Sequence, residues 1–298
     1  EALAALEAGA VDADFLASLG SFLFEELFAG PIGELYRVSL GMARSQGRRM
    51  PVRLNLQSPE LAVLPWEYLH DPSEELFLAI SPETSVLRAV PLRLPLRPTA
   101  VEPPLRVLAV ISNPSDAPRL DVAQEKAILQ QALAEAGEKG QVRLEFTAPA
   151  TVAEITQAMR RFAPHVFHFV GHGAFQHGRA YALLEDDRGR AWPLDETAFR
   201  EFFLGAEATR LAVLNACQTA TVSSSRPLAG LAPRLLQRKL SAVVGMHYRL
   251  SDRAALVFTR EFYRSLALGA AIDVAVAEAR KGIYLELGAG QRDWAAAV

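Results

Sequence analysis

The sequence contains one cysteine, Cys217, among its 298 residues. A single thiol excludes an internal disulfide and any metal site built from several cysteines. Cys217 is therefore either a packing residue or a reactive group, and a lone buried cysteine is more often a packing residue. The residues that the fold places beside it decide between these two interpretations.

Several motifs that bind cofactors or metals are also missing. The chain has no Gly-x-x-x-x-Gly-Lys-Ser/Thr phosphate loop, no Gly-x-Ser-x-Gly elbow and no His-Glu-x-x-His helix. Asn113, and not a Gly-x-Gly-x-x-Gly motif, follows the first strand of the second half. His165 and His177 have no partner at a spacing typical of metal ligands. The sequence therefore predicts a protein with no cofactor and no catalytic metal.

Long apolar runs and clusters of positive charge are absent as well. The apolar stretches are interrupted before the ~20 residues that a membrane span needs, and the N-terminus lacks a targeting signal. The net charge of −3 argues against binding to nucleic acid, which requires clustered cations to neutralise phosphates. We expect a cytoplasmic protein whose partners include neither a membrane nor nucleic acid.

Prolines mark a predicted domain boundary near residue 100, at a density that neither a helix nor a central strand tolerates. They are Pro91, Pro95, Pro98, Pro103 and Pro104. Residues 1–98 are predicted to form an N-terminal region of helices and short strands that packs on a second domain, residues 105–298. In that domain Val- and Leu-rich strands alternate with helices, which predicts an α/β fold with a mostly parallel central sheet covered on both faces.

The boundaries of these predicted elements come from their apolar periodicity. The strands are predicted at 105–111, 142–146, 166–170, 211–214 and 242–246, and the helices at 122–136, 152–162 and 228–239. A hairpin is predicted at 181–193, and two further helices are expected after residue 246.

Polar residues follow three of these strands. Gly171-His172-Gly173 comes after the strand at 166–170, and Asn215-Ala216-Cys217 comes after the strand at 211–214. Ser251-Asp252 follows the strand that ends at residue 246. Because the carboxyl ends of parallel strands meet at one edge of a sheet, we expect these loops to share one rim.

The pairing of Cys217 with His172 favours nucleophilic catalysis. A thiol with an ordinary pKa near ~8.5 is mostly protonated at neutral pH, so a catalytic cysteine needs a base beside it. His172 can supply that base, and the backbone amides of Gly173 and Cys217 can stabilise a developing oxyanion.

These two motifs resemble those of the CHAT domain, a bacterial relative of caspases and separases. The resemblance rests on residues 166–173, VFHFVGHG, and residues 211–219, LAVLNACQT. It implies a caspase-like three-layer α/β/α sandwich and a cysteine endopeptidase with a Cys217–His172 dyad. It also implies a regulated effector in bacterial signalling or defence that cleaves protein substrates.

Further blocks of sequence extend the resemblance over about residues 50–294. Residues 64–69, LPWEYL, are similar to the start of such domains, and Asp293-Trp294-Ala295 is similar to their last block. In the separase relatives an aspartate at the place of Asp252 binds a basic P1 residue, which implies that Asp252 binds substrate. Ser251 or Asp252 could equally form an ordinary helix N-cap.

Regulation is also implied by the resemblance, since such domains are usually tethered to a sensor or activated by a partner. The chain starts without methionine and stops in the apolar run 295–298, so we expect a fragment whose regulatory domain or partner lies outside it. The polar segment 221–227 is either a loop that orders on activation or a plain surface loop. A catalytically silent scaffold that binds a protein partner is the alternative function, because fold alone does not decide activity.

Overall fold

The protein forms two compact units in a computed structural model, which describes residues 2–56, 58–89, 101–176, 179–217, 235–236, 240–247 and 250–298. Unit 1 comprises Glu1–Pro91, Ser251–Leu266 and Ala270–Val298. Unit 2 comprises Leu92–Leu250 and Ala267–Gly269. Residues from both ends of the chain thus contribute to unit 1. The predicted division into residues 1–98 and 105–298 stays a prediction.

Unit 2 is built on a seven-stranded sheet. Five strands are parallel and follow the order β11-β10-β7-β5-β6. The C-terminal half of β7 pairs antiparallel with β8, and β8 pairs antiparallel with β9. The strands are β5 (Leu105–Ile111), β6 (Val142–Thr147), β7 (Val166–Gln176), β8 (Arg179–Glu185), β9 (Ala191–Asp195), β10 (Leu211–Cys217) and β11 (Ala242–Gly245).

Helices connect these strands and are well defined by their caps. They are α5 (Val122–Glu138), α6 (Val152–Phe162) and the short α7 (Glu196–Phe199), which a 3-10 turn at Arg200–Phe203 extends. Asp121 accepts a hydrogen bond from the N–H of Gln124, and Thr151 accepts one from the N–H of Glu154. These side chains satisfy N–H groups that the first helical turn leaves unpaired, so α5 and α6 begin where they do.

One face of the sheet forms the main core of unit 2. Phe167 and Phe169 of β7 project to the same face and are fully buried. Helix α6 covers them with its apolar stripe, and α7 and the following turn contribute more aromatic rings. The members of this cluster from α6, α7 and the 3-10 turn are Ile155, Ala158, Met159, Phe162, Phe199 and Phe203.

Unit 1 combines helices with two small sheets. Its helices are α1 (Ala2–Ala8), α2 (Ala13–Leu27), α3 (Pro31–Ser45), α4 (Pro59–Ala62), α8 (Asp252–Ala267, within unit 1 as far as Leu266) and α9 (Ile272–Leu287). Strands β1 (Val52–Leu54) and β4 (Val86–Arg88) pair parallel, and β2 (His70–Asp71) and β3 (Leu76–Phe77) pair antiparallel. Short 3-10 helices lie at Trp66–Tyr68, Leu78–Ile80 and Arg292–Ala295.

The first and last sequence blocks that resemble the CHAT domain meet inside unit 1. Trp294 is fully buried, and its ring lies 4.9 Å from that of Tyr68, edge to face. The Tyr68 hydroxyl donates to the carbonyl oxygen of Arg292 at 2.9 Å. Trp66 is buried as well, so the aromatic residues of the block at 64–69 are core residues.

The predicted fold class is confirmed: the protein is α/β with a mostly parallel central sheet flanked by helices. The strand at 105–111 and the helix at 152–162 match the prediction at both ends. Three predictions lie outside the described residues, namely the prolines at 91–98, most of the helix at 228–239 and the segment 221–227.

Among the helices that the structure describes, no single one is long and apolar enough to span a bilayer. Helices α2 and α3, bent by 104°, reach that length and composition only as a pair.

Candidate active site

His172 and Cys217 are register partners on the adjacent parallel strands β7 and β10. They form the last pair of a ladder that begins with Val166 opposite Leu211. Neighbouring strands lie about 4.8 Å apart, so the Cys217 backbone is within reach of the His172 side chain. The register therefore places the two predicted catalytic residues next to each other at the carboxyl end of the sheet.

Both residues lie inside strands, which corrects the expectation that they occupy loops. Strand β7 pairs with β5 only as far as Val170, and from His172 onward it pairs with β8 instead. Strand β8 supplies hydrogen-bond partners for the backbone N–H and C=O groups of β7 beyond residue 170, so β7 continues to Gln176. The sequence pattern missed this continuation because a change of partner leaves no trace in apolar periodicity.

Gly171 is required by the close packing before His172. A Cβ atom at this position would lie 2.6 Å from the Phe169 ring and 3.3 Å from Cβ of Ser112. A larger residue would therefore push against the core just before the candidate base.

The backbone of the two strands also orients the predicted oxyanion donors. The N–H of Ser112 in the chain after β5 donates to the carbonyl oxygen of Val170, so the polar groups of Val170 face β5. Peptide groups alternate in direction along a strand, so the N–H of Gly173 faces the opposite side, toward β10. The N–H of Leu211 donates toward β7, and by the same alternation that of Cys217 faces β7. Both N–H groups therefore belong to the last rung of the β7–β10 ladder, the pair of His172 and Cys217, and their role as oxyanion donors stays a prediction.

A backbone carbonyl orients the His172 ring. His172 is 3% exposed, and its Nε2 atom lies 2.6 Å from the carbonyl oxygen of Pro118. Because a carbonyl oxygen can only accept, Nε2 must carry the hydrogen. The neutral ring then holds its lone pair on Nδ1, the nitrogen that can act as a base. The sequence analysis named no such partner, since any residue can supply a carbonyl.

Asp252 lies in unit 1, as the exposed first residue of α8. The helix cap is provided by its neighbour Ser251, whose hydroxyl accepts from the N–H of Ala254 at 3.3 Å and donates to Asp293 at 2.6 Å. Of the two candidates for the N-cap, Ser251 therefore takes that role. The assignment of Asp252 to substrate binding stays a prediction.

The remaining candidates have other structural roles. His168 is buried, and desolvation lowers its pKa to about 4, so it is neutral at physiological pH. Burial and the nearby Arg106 and Arg210 lower the pKa of His165 to about 4, and its Nδ1 accepts from the N–H of Arg106. Asn215 lies within β10 rather than at a turn.

Arg179 of β8 pairs with Asp195 of β9 at 3.0 Å. His177 lies outside the described residues. Across the described ranges, no group of three or more His, Cys, Asp or Glu side chains could hold a metal ion.

Comparison with known proteins identifies the family. The crystal structure of the Drosophila initiator caspase Dronc is similar with a TM-score of 0.34 and 12% identity, and the match covers 56% of this chain and 67% of that chain. No curated protein matches the sequence. The sequence matches the CHAT domain over residues 18–298, which is most of its length and includes every candidate site residue. The chain therefore belongs to the CHAT domain family.

Proposed function

We propose that the protein is a cysteine endopeptidase in which Cys217 is the nucleophile and His172 the general base. The observation that carries this proposal is their pairing at the end of the β7–β10 ladder. A thiol and an imidazole on adjacent strand ends have the spacing that acyl transfer requires, and a packing cysteine has no need of this neighbour. Membership of the CHAT domain family supports the same caspase-like protease chemistry.

The reaction follows from the roles of the two side chains. Nδ1 of His172 takes the thiol proton, and the sulfur of Cys217 attacks the scissile carbonyl carbon to form a tetrahedral intermediate. The C–N bond then breaks, and His172 returns the proton to the leaving amine. Water, deprotonated by His172, hydrolyses the remaining thioester, which releases the acid product and restores the thiol.

The backbone N–H groups of Gly173 and Cys217 are the proposed oxyanion donors. Their place beside His172 and Cys217, at the end of the β7–β10 ladder, supports this assignment. Removing one such donor costs enzymes about 100-fold to 1,000-fold in kcat, so these groups would account for a large share of the rate enhancement.

Asp252 is proposed to select a basic residue at P1. Its carboxylate is exposed, and the capping of α8 by Ser251 leaves it available for another role. A carboxylate binds an arginine side chain by two parallel hydrogen bonds, which gives it preference over other residues. The Asp252→Asn variant would then lose preference for arginine at P1 while retaining its reactive thiol.

Cleavage of a peptide library by the purified chain and by Cys217→Ala tests the proposal. Mass spectrometry of the products gives the cleavage sites, and an irreversible peptidyl electrophile identifies the modified residue. We expect labelling at Cys217 and loss of cleavage in Cys217→Ala and His172→Ala. Cleavage that persists in Cys217→Ala would contradict the proposal.

A regulatory requirement is part of the proposal, because such a domain would be harmful if always active. We propose that the free chain has low activity until a sensor domain or protein partner acts on the segment 221–227. Equal cleavage rates for the isolated chain and the full-length protein with its activator would contradict this. A chain that is neither labelled nor active under any of these conditions would favour the scaffold function.

A further inference from the structure

We propose that Asn113 is a positioning residue for the candidate base His172, acting through the loop that presents the Pro118 carbonyl. This inference rests on the proposed function, since it concerns the same dyad. Asn113 lies two residues after the end of β5, and four residues lie between it and Pro118 in the loop that leads to α5.

The Asn113 side chain closes this loop with two hydrogen bonds. Its Oδ1 accepts from the N–H of Leu120 at 2.9 Å, and its Nδ2 donates to the carbonyl oxygen of Leu120 at 3.3 Å. Both backbone groups of Leu120 are thus held by one side chain, two residues after Pro118. Leu120 itself is 9% exposed, which anchors this end of the loop in the interior.

The other end of the loop is fixed to β8. The N–H of Asn113 donates to Oε1 of Glu185 at 2.8 Å, and the hydroxyl of Ser112 donates to the carbonyl oxygen of Leu183 at 2.7 Å. Leu183 is also the register partner of His172 in the β7–β8 pairing. The loop and the histidine are therefore anchored to the same strand, which sets the distance between Pro118 and His172.

Two more contacts tie the middle of the loop to the β8–β9 turn. The N–H of Ser115 donates to the carbonyl oxygen of Gly189 at 2.8 Å, and Asp116 accepts from the N–H of Ala191 at 2.6 Å. These bonds hold the loop in place, but they do not close it. The Asn113 side chain joins the start of the loop, just after β5, to Leu120, which directly precedes the Asp121 cap of α5.

The chemistry of the amide explains why asparagine suits this position. An amide can donate and accept at once, whereas a carboxylate only accepts and an alanine does neither. Asn113→Asp would keep the bond from the Leu120 N–H and place a carboxylate against the Leu120 carbonyl. Asn113→Ala would lose both bonds. Loss of loop closure would let the Pro118 carbonyl move from Nε2 of His172, and displacements near 1 Å can cost about 100-fold in rate.

The experiment measures the reactivity of the only cysteine, which needs no peptide substrate. The rate of Cys217 alkylation by iodoacetamide is followed against pH for the unmodified chain, Asn113→Ala, Asn113→Asp and the control Ser115→Ala. Ser115 lies in the same loop, is exposed, and contributes its backbone N–H rather than its hydroxyl to the contacts described above. Melting temperatures establish that each variant is folded.

We expect alkylation at pH 7 to slow about ten-fold in Asn113→Ala, with the apparent thiol pKa moving up toward its ordinary value. Asn113→Asp should also slow alkylation, by the same factor or a smaller one. Ser115→Ala should be alkylated at the same rate as the unmodified chain. Where peptide cleavage is measurable, kcat should fall while KM stays unchanged.

Unchanged alkylation profiles in a folded Asn113 variant would overturn the inference even if the chain is an active protease. A slowed Asn113 profile in a chain that never cleaves peptides would instead uphold the inference and contradict the proposed function. If Asn113→Ala does not fold, Asn113→Asp decides the outcome.

Discussion

The Nε2 atom of His172 lies 2.6 Å from the carbonyl oxygen of Pro118, so a backbone group orients the histidine that pairs with Cys217 across β7 and β10. This geometry predicts the tautomer of the neutral ring, with hydrogen on Nε2 and the lone pair on Nδ1. Nitrogen-15 NMR of histidine-labelled protein, with His172→Gln for assignment, measures the tautomer directly. His165 serves as an internal reference, because its Nδ1 accepts from the N–H of Arg106 at 3.2 Å. A lone pair on Nε2 of His172 would be incompatible with the contact to Pro118.

The substitution of glycine by alanine should change the free energy of unfolding in opposite directions at two helical positions. A Cβ atom on Gly20 in α2 would overlap the carbonyl oxygen of Tyr68, whereas one on Gly41 in α3 would meet nothing within 4 Å. Gly41→Ala should stabilise the protein by about 0.5–1 kcal/mol, since alanine loses less conformational entropy in a helix. Gly20→Ala should destabilise it by about 1–3 kcal/mol, as overpacking does. Urea denaturation measures both, and a stabilised Gly20→Ala would contradict the packing described for α2.

The ion pair between Glu67 and Arg88 should be essential for the stability of unit 1. Both oxygens of Glu67, which is 1% exposed, accept from Arg88 at 2.8 Å. Removal of Arg88 takes two charge-assisted hydrogen bonds from a buried carboxylate, so Arg88→Leu should lower the free energy of unfolding by about 3–5 kcal/mol. The double variant with Glu67→Leu should be more stable than Arg88→Leu alone.

The exposed pair of Glu135 and Lys139 is the matched control for this measurement. Their side chains are 70% and 59% exposed, and their separation of four residues is typical of a helix surface. Glu135→Ala should change the free energy of unfolding by about 0.5 kcal/mol or less. Equal effects at the two pairs would show that burial does not govern the Glu67–Arg88 interaction.

His168 should contribute to destabilisation in mild acid. Burial lowers its pKa from the ordinary 6.5 to about 4, so between these values the unfolded chain binds a proton that the folded chain does not. The free energy of unfolding therefore falls as pH drops from 6.5 toward 4, by about 3 kcal/mol for this residue at about 1.4 kcal/mol per pKa unit. In His168→Gln this contribution disappears. Denaturant titrations across that pH range should then show a free energy of unfolding that depends less on pH. An equal dependence of the free energy of unfolding on pH in both proteins would contradict the lowered pKa of His168.

Much of the parallel sheet could be predicted from the sequence because its strands are short, buried and apolar. Leu105–Ile111 and the helix Val152–Phe162 have boundaries set by local signals, a continuous apolar run in one case and a Thr151 cap in the other. The extension of β7 to Gln176 could not be predicted, since it depends on pairing with β8. Long-range pairing of this kind overrides local propensity.

The candidate site was predictable where its chemistry lies in side chains. His172 and Cys217 are rare residue types at strand ends, and the register brings them together. The Pro118 carbonyl was not predictable, because a backbone acceptor has no sequence signature. In the sequence Asn113 stands where a phosphate-binding glycine would be, and nothing in the sequence indicates its two hydrogen bonds to Leu120.

The proposed activity depends on activation of the Cys217 thiol by His172, and the pH dependence of thiol alkylation measures that activation. Because the chain has one cysteine, the uptake of iodoacetamide measured by intact mass reports on Cys217 alone. In the unmodified protein we expect rapid alkylation well below the ordinary thiol pKa of about 8.5, and in folded His172→Gln a profile that returns to that value. Identical profiles in the two proteins would contradict the dyad.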